Sequence, residues 1–313
     1  LGGILETVLP VFLLVALGKG LIYFKLAGPD FFRVSDRLVY YIFFPCLLFW
    51  KVAQSQAGAQ NSTLELKILE VFPLVLGSIF TIWLLTLIHA RLFKLPQHQI
   101  GAFSQVSYRF NTYVGMAIIF NYLGEQGVAG FAILISTAIP FINVLAVSTL
   151  VWFSPQAYSQ KEKTKMVLKA MVTNPLILAC LAGVLYGKVV GALPLFAVSS
   201  LKLLSSITLP LALLSVGSSL ALDKLRGRLG PAFASCLYKL LLLPVTGYLL
   251  FSLSGINGPA LVIAMVFFSL PTSPASYILS KQLASDAELA GASVALSTLL
   301  SFISLSAILF LFQ

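Results

Sequence analysis

Apolar runs of roughly 20 residues, repeated along the whole chain, leave it few ways to fold, because each is long enough to cross the hydrocarbon core of a bilayer. Backbone N–H and C=O groups in lipid must be paired internally, so only helices and closed barrels span. A barrel would be written in alternating segments of about ten residues, and the sequence has none. The runs near 5–24, 37–54, 68–92, 99–122, 128–153, 167–187, 200–221, 231–253, 258–281 and 287–311 therefore predict ten transmembrane helices and an all-α integral membrane fold. Composition agrees: 59% of the residues are hydrophobic and only 10% are charged, against about 25% charged in soluble domains. The first run is too long for a signal-peptide core and is expected to be a span.

The net charge of +10 would suggest nucleic acid in a soluble protein. Here the basic residues lie between the apolar runs, which points to membrane orientation and to no nucleic-acid partner. One set of alternate loops and span ends holds 14 Lys and Arg, the other only Lys51, Lys67, Lys188 and Lys202. With ten spans, this bias puts both termini outside and the QKEKTK stretch at 160–165 in the cytoplasm as a solvated linker, in what we read as a bacterial inner membrane. Asn61-Ser62-Thr63 fits a glycosylation acceptor on the outer side and carries no weight in the argument. Cys46, Cys180 and Cys236 lie in separate spans with no metal or redox spacing and read as small core residues.

Two of the runs are interrupted. FSQVSYRFNTYVG (Phe103–Gly115) holds Ser104, Gln105, Ser107, Tyr108, Arg109, Asn111 and Thr112, and FFSLPTSPASYIL (Phe267–Leu279) holds Pro271, Thr272, Ser273, Pro274 and Ser276. An arginine at mid-membrane is costly unless it faces protein or water, which marks a functional site. Helices broken at mid-membrane, in matching halves of a chain, mark the binding site of many secondary transporters. The halves do match. Pro10 and Gly18, Pro45, and Phe103-Ser104 recur as Pro175 and Gly183, Pro210, and Phe268-Ser269 at one offset of 165, while Gly130 and Ser136-Thr137 recur as Gly291 and Ser297-Thr298 at 161. Five spans per repeat is an odd number, so the repeats, 1–153 and 167–313 joined by the cytoplasmic linker 154–166, are expected to have inverted topology.

The chemistry follows from the helix ends. N-terminal stumps attract anions and carbonyl ends attract cations. Arg109 can hold a carboxylate in a bidentate fork, or it can offset the carbonyl ends of its own break. Lys239 poses the same choice. The carboxylates all fall at span ends or in loops, whereas proton and sodium antiporters keep acids at mid-membrane, so an anionic cargo is favoured. Candidate substrate residues are Arg109, Asn111, Thr112, Tyr108, Gln105, Thr272, Ser273, Pro271, Pro274, Ser276, Asn143 and Lys239. Ser136, Thr137, Ser269, Ser297 and Thr298 are candidates for an ion site. Coupling to Na+ or H+ is left open. His89 and His98 flank a basic loop and are expected to be solvated. No enzyme constellation, metal cluster or cofactor loop is seen, so none is expected.

VLPVFLLVALGKGL, LVYYIFFPCLLF and RFNTYVG in the first half, and TNPLILACLAGVLYG, LPLALLSVGSSL and LPTSPASYILSKQLASDAELAGASVALSTLLS in the second, resemble the auxin efflux carrier family of secondary transporters, bacterial type. The resemblance covers nearly the whole chain. It implies two inverted five-helix repeats in which helices 4 and 9 cross as broken helices. It also implies a scaffold of helices 1, 2, 6 and 7 that can form a homodimer, and a moving transport domain of helices 3–5 and 8–10. The implied cargo is an organic anion, an auxin-like acid in plants or a malate- or malonate-like acid in bacteria. The short linker and the absence of proline from RFNTYVG point to the bacterial type. Two rivals stand beside this reading: a sodium-coupled symporter of anionic or amphipathic cargo, as in the structurally similar bile-acid symporters, and a sensor that binds ligand without moving it.

Overall fold

The computed structural model describes residues 2–57, 63–156, 159–220 and 227–312. Among these it is wholly α-helical, with no strand. Asn61 and Ser62 of the glycosylation triplet, and 221–226 of one basic loop, lie outside the described residues. In order, the helices are α1 (Gly2–Tyr23), α2 (Pro29–Leu38), α3 (Phe44–Ala57), α4 (Thr63–Leu92), α5 (Gln97–Val106), α6 (Thr112–Trp152) and α7 (Gln160–Val172). They continue with α8 (Pro175–Val189), α9 (Leu195–Ser218), α10 (Leu229–Leu237), α11 (Leu243–Ser254), α12 (Pro259–Ser269), α13 (Ala275–Gln282) and α14 (Ala287–Leu311). Single π turns, Val39–Phe43 and Tyr238–Leu242, join α2 to α3 and α10 to α11.

Among the described residues, seven stretches are long and apolar enough to cross a membrane, and α8 and α12 are shorter apolar helices. The 22 residues of α1 extend about 33 Å at the helical rise, close to the thickness of the hydrocarbon core. Outward-facing leucines such as Leu13, Leu185, Leu203 and Leu253 are more than half exposed and form the lipid-facing surface of an integral membrane protein. The 41 residues of α6 exceed one crossing, and the reason is at Gly124. Its φ of 65° and ψ of −154° break the helical path there, a conformation glycine adopts without steric cost. The adjoining Glu125 pairs with Lys51 of α3 at 3.2 Å.

Two of the matched glycines show why a side chain is excluded from their positions. A Cβ on Gly18 of α1 would run into the carbonyl of Leu214 on α9, and one on Gly183 of α8 would meet the carbonyl of Phe49 on α3 at 2.9 Å. Gly183 stands 165 residues after Gly18, and Leu214 stands 165 after Phe49. The same close backbone approach is therefore made twice by corresponding residues.

Two sequence expectations change. The chain does not enter its sixth apolar helix at 167. Residues 160–172 form the separate helix α7, and the apolar helix begins at Pro175 behind an Asn174 cap. The stretch expected as a solvated linker thus ends in a helix, started by a capping box in which the Glu162 amide donates to the Ser159 hydroxyl and the Ser159 amide to the Glu162 carboxylate. The hydroxyl and the amide of Ser159 both donate to that carboxylate, and they hold its pKa below the usual value. The second change is His89. It is half-buried between Phe93 and Phe103, with ring centroids at 4.3 and 4.9 Å, because this end of α4 packs against α5. His98 is half-exposed beside Asp286.

Adding a methyl group at Gly18 or Gly183 should destabilise the protein by about 1–3 kcal/mol, the usual cost of overpacking. Gly18→Ala and Gly183→Ala should lower the thermal midpoint in detergent, and Gly20→Ala, which meets nothing within 4 Å, should leave it unchanged. At α7, Ser159→Ala should speed hydrogen exchange of the amides at 160–163. A lowered carboxylate pKa gives stability that is present above the unfolded value, about 4.3, and lost as pH falls through the folded one. Acidification should therefore bring the wild-type exchange rates toward those of the mutant.

Candidate functional site

Both interruptions are real breaks in the helices, and they lie against each other. α5 stops at Val106 and α6 starts at Thr112; α12 stops at Ser269 and α13 starts at Ala275. The Asn111 amide donates to the Pro271 carbonyl at 2.8 Å, and the Thr272 hydroxyl donates to the Val106 carbonyl at 2.6 Å. Pro271 corresponds to Val106 at the offset of 165, so each break supplies the same carbonyl to the other. Gln105 adds a third tie, its Nε2 donating to the Ser276 carbonyl at 3.0 Å and to Ser280 Oγ at 2.8 Å. The Phe110 and Phe267 rings pack at 4.3 Å beside these bonds.

The carbonyl ends of the stumps are largely covered. Val106 accepts from Thr272, and Phe268 accepts from Lys239 Nζ at 2.7 Å. Ser269 accepts from Ser304 Oγ at 3.0 Å, and Phe103 from Ser107 Oγ at 2.8 Å. Lys239 reaches its carbonyl from the π turn between α10 and α11 and is fully buried. A buried ammonium needs such a partner, and a helix C-terminus is the electrostatically favourable place for one.

Both sides of the crossing hold buried polar side-chain atoms that have nothing to bond. Asn111 caps α6, its Oδ1 accepting from the amides of Tyr113 and Val114 at 3.1 and 3.3 Å, while its Nδ2 is buried without a partner. Gln105 Oε1, Arg109 Nη1, Ser269 Oγ and Ser276 Oγ are also buried and unpartnered. Ser273 Oγ accepts from the Ala275 amide at the start of α13, beside Pro274, whose φ of −56° suits a helix start. Arg109, Thr112, Ser273 and Pro274 are half-buried and form the open edge of the crossing. Tyr108 is fully buried, next to Ser104 and Thr149.

Other sequence candidates lie outside this cluster or bond to their own helix. Asn143 is buried on α6, and no hydrogen bond joins it to either break among the described residues. Ser136 donates to the Ile133 carbonyl and Thr298 to that of Val294. Ser297 reaches the second break, accepting from the Thr272 amide at 3.0 Å. Thr137 is half-buried on α6.

Sequence reasoning named Tyr113 as a residue that could shape the cargo but missed two others nearby, Tyr40 and Asp36. Tyr40, in the π turn after α2, lies within electrostatic reach of Arg109. Tyr113 packs edge-on against Phe44 at 5.1 Å and lies within reach of Asp36. Asp36, read as flanking the second span, lies within one long helical stretch, Pro29–Gln56, and accepts a hydrogen bond from Ser215 of α9. The signal available in the sequence was the amphipathic start of α2, PDFFRVSDRL, which places Asp36 before the apolar run.

Helices broken in mid-span, bonded to each other and holding unpaired polar atoms in an apolar body, define a polytopic membrane protein whose working parts are internal, the class that includes the membrane transporters. The model of the family described as "Membrane transport protein" matches residues 3–309, and the chain belongs to this family, which is that of the auxin efflux carriers its motifs resemble. It is also similar to an uncharacterized transporter of Methanocaldococcus jannaschii, with 27% identity over 303 residues that cover 96% of either chain. This is a membrane transporter and not an enzyme.

Thr272→Val keeps the side-chain shape and removes the donor to Val106, leaving a buried carbonyl unsatisfied at a cost of about 1–3 kcal/mol. Thermal unfolding in detergent should record a lower midpoint, whereas Thr112→Val, at the half-buried edge, should change it little.

Proposed function

We propose that this chain is a secondary carrier of small organic anions, carboxylates in particular, working by alternating access across a bacterial inner membrane with both termini outside. The observation that carries the reading is the electrostatic asymmetry of the crossing. Carbonyl groups at its helix C-termini are occupied by Thr272, Lys239 and Ser304. The N-termini of α6 and α13 lie at this crossing, where Arg109 Nη1 and Asn111 Nδ2 have no hydrogen-bond partner. Donors of this kind, backbone dipoles and a guanidinium, stabilise a carboxylate. Arg109, Asn111, Thr112 and Ser273 would meet the cargo, and Gln105, Thr272 and Lys239 would hold the breaks in place.

The fold supports a matching movement. Counting α2–α3 and α10–α11 as single spans, dividing α6 at Gly124, joining α5 to the first part of α6 and α12 to α13 across their breaks, and leaving out the linker helix α7 gives ten spans in two sets of five. Under the offset of 165, the contact of α1 with α9 becomes that of α8 with α3, and both pairs pack closely. The contact of α5 with α14 becomes that of α12 with α6, and both are present. These pairings favour inverted repeats at 1–153 and 167–313, with spans 1, 2, 6 and 7 as scaffold and spans 3–5 and 8–10 as the moving part.

In proteoliposomes on a supported membrane, a panel of carboxylates should evoke charge movement without sodium, and Arg109→Ala should abolish it while the protein stays folded. Currents that survive the substitution would leave Arg109 with a structural role. A strict sodium requirement would favour the symporter reading, and binding without current would favour a sensor.

A further inference from the structure

From the charges at the crossing, and resting on the reading of it as an anion site, we infer that the site takes one negative charge per cargo molecule. It selects monocarboxylates and passes over the dianions of dicarboxylic acids.

Few cations lie among the spanning helices. Among the described residues, Lys19 donates to the Leu220 carbonyl and Lys51 pairs with Glu125. Two further cations are Arg109, in the break between α5 and α6, and Lys239, in the π turn between α10 and α11. Lys239 has no exposed surface, and its Nζ is held at 2.7 Å by the Phe268 carbonyl. The Phe268 ring closes that corner, filling the space over Gly247 so tightly that a Cβ there would collide with it. For Lys239 to turn toward a cargo it would have to leave a helix-end carbonyl bare and push past this ring. Its charge belongs to the helix end.

That leaves Arg109. Its Nη1 is buried without a hydrogen-bond partner, and no carboxylate pairs with it among the described residues. The ionisable groups within its reach are Tyr108 and Tyr40, phenols that are neutral at pH 7. One full positive charge thus waits for a partner, and a guanidinium fork is filled by one carboxylate.

A second carboxylate on the same molecule would find only neutral donors, the Asn111 amide and the Ser276 hydroxyl. These can bond a protonated acid or an ester, but they do not neutralise an anion drawn out of water. Asp36, bonded to Ser215 and within electrostatic reach of Tyr113, brings a carboxylate and no second positive charge. A monoanion therefore makes the site neutral, whereas a dianion leaves it with one unpaired negative charge.

The test compares malonate, succinate and glutarate with their monomethyl esters, which keep the carbon skeleton and one carboxylate. Flux and binding are measured on the wild-type protein in proteoliposomes at pH 7.5 and at steps down to 5. At pH 7.5 each half-ester should bind and move better than its parent diacid by about tenfold or more. As pH falls, the diacids should gain as their second carboxyl protonates, while the half-esters stay level. The level half-esters control for titration of the groups around the site, Asp36, Tyr40, Tyr108, Tyr113 and Lys239.

Dianions that bind as well as the half-esters at pH 7.5 overturn the inference and leave the anion carrier standing. If that dianion binding is then lost in Lys239→Met, Lys239 is the second cation. If neither series binds at any pH, the crossing is not a carboxylate site, and both readings fall. The decisive comparison is made on the unmodified protein, so it does not depend on whether any variant folds.

Discussion

Two hydrogen bonds across the centre of the protein, from the Asn111 amide to the Pro271 carbonyl and from the Thr272 hydroxyl to the Val106 carbonyl, are what the rest of the structure depends on. A helix interrupted in hydrocarbon exposes backbone groups that lipid cannot satisfy, at several kcal/mol each. Neither break is tolerable alone, but each supplies what the other lacks. The aromatic contact of Phe110 with Phe267, the ties from Gln105 and the ammonium of Lys239 follow from the same need, because each completes a bond at the breaks or seals them from lipid.

This arrangement separates two duties. Carbonyl ends are closed off by hydroxyls and by a lysine that is itself immobilised, which makes that side of the crossing structural. The N-terminal side holds two buried donors without a partner, Asn111 Nδ2 and Arg109 Nη1. Four stump ends meet in one place, two of each sign, and side chains nearby cap both: Lys239 and Thr272 bond carbonyls, and Asn111 and Ser273 bond amides.

The packing around the crossing repeats. Gly18 against Leu214 and Gly183 against Phe49 make the same approach with corresponding residues, which lets α1 and α9, and α8 and α3, come together backbone to backbone. Packing of this kind is the usual means of helix association where lipid removes the hydrophobic drive. Gly124 serves a different need: a Cβ there would meet no neighbour, and its positive φ turns the chain and divides a 41-residue helix.

The sequence alone determined that this is an all-helical membrane protein, because runs of about 20 apolar residues permit little else. It also located both breaks, because arginine and paired prolines are too costly in a span to be incidental, and the family followed from the order of its motifs. It placed the correspondence of Gly18 with Gly183, though not what those glycines touch. Only the tertiary structure decided which donors remain free. Lys239 and Arg109 look alike as buried cations in an apolar run, and what separates them is a carbonyl 29 residues away at 2.7 Å for one and an unfilled Nη1 for the other. Asp36 and Tyr40 were equally invisible as neighbours of the site, since a π turn and the packing of α2 against α9 bring them there. Hydropathy and helix breaking are local properties that a sequence carries along its length. The pairing of a donor with an acceptor is a fact about distance, and it exists only once the helices are packed.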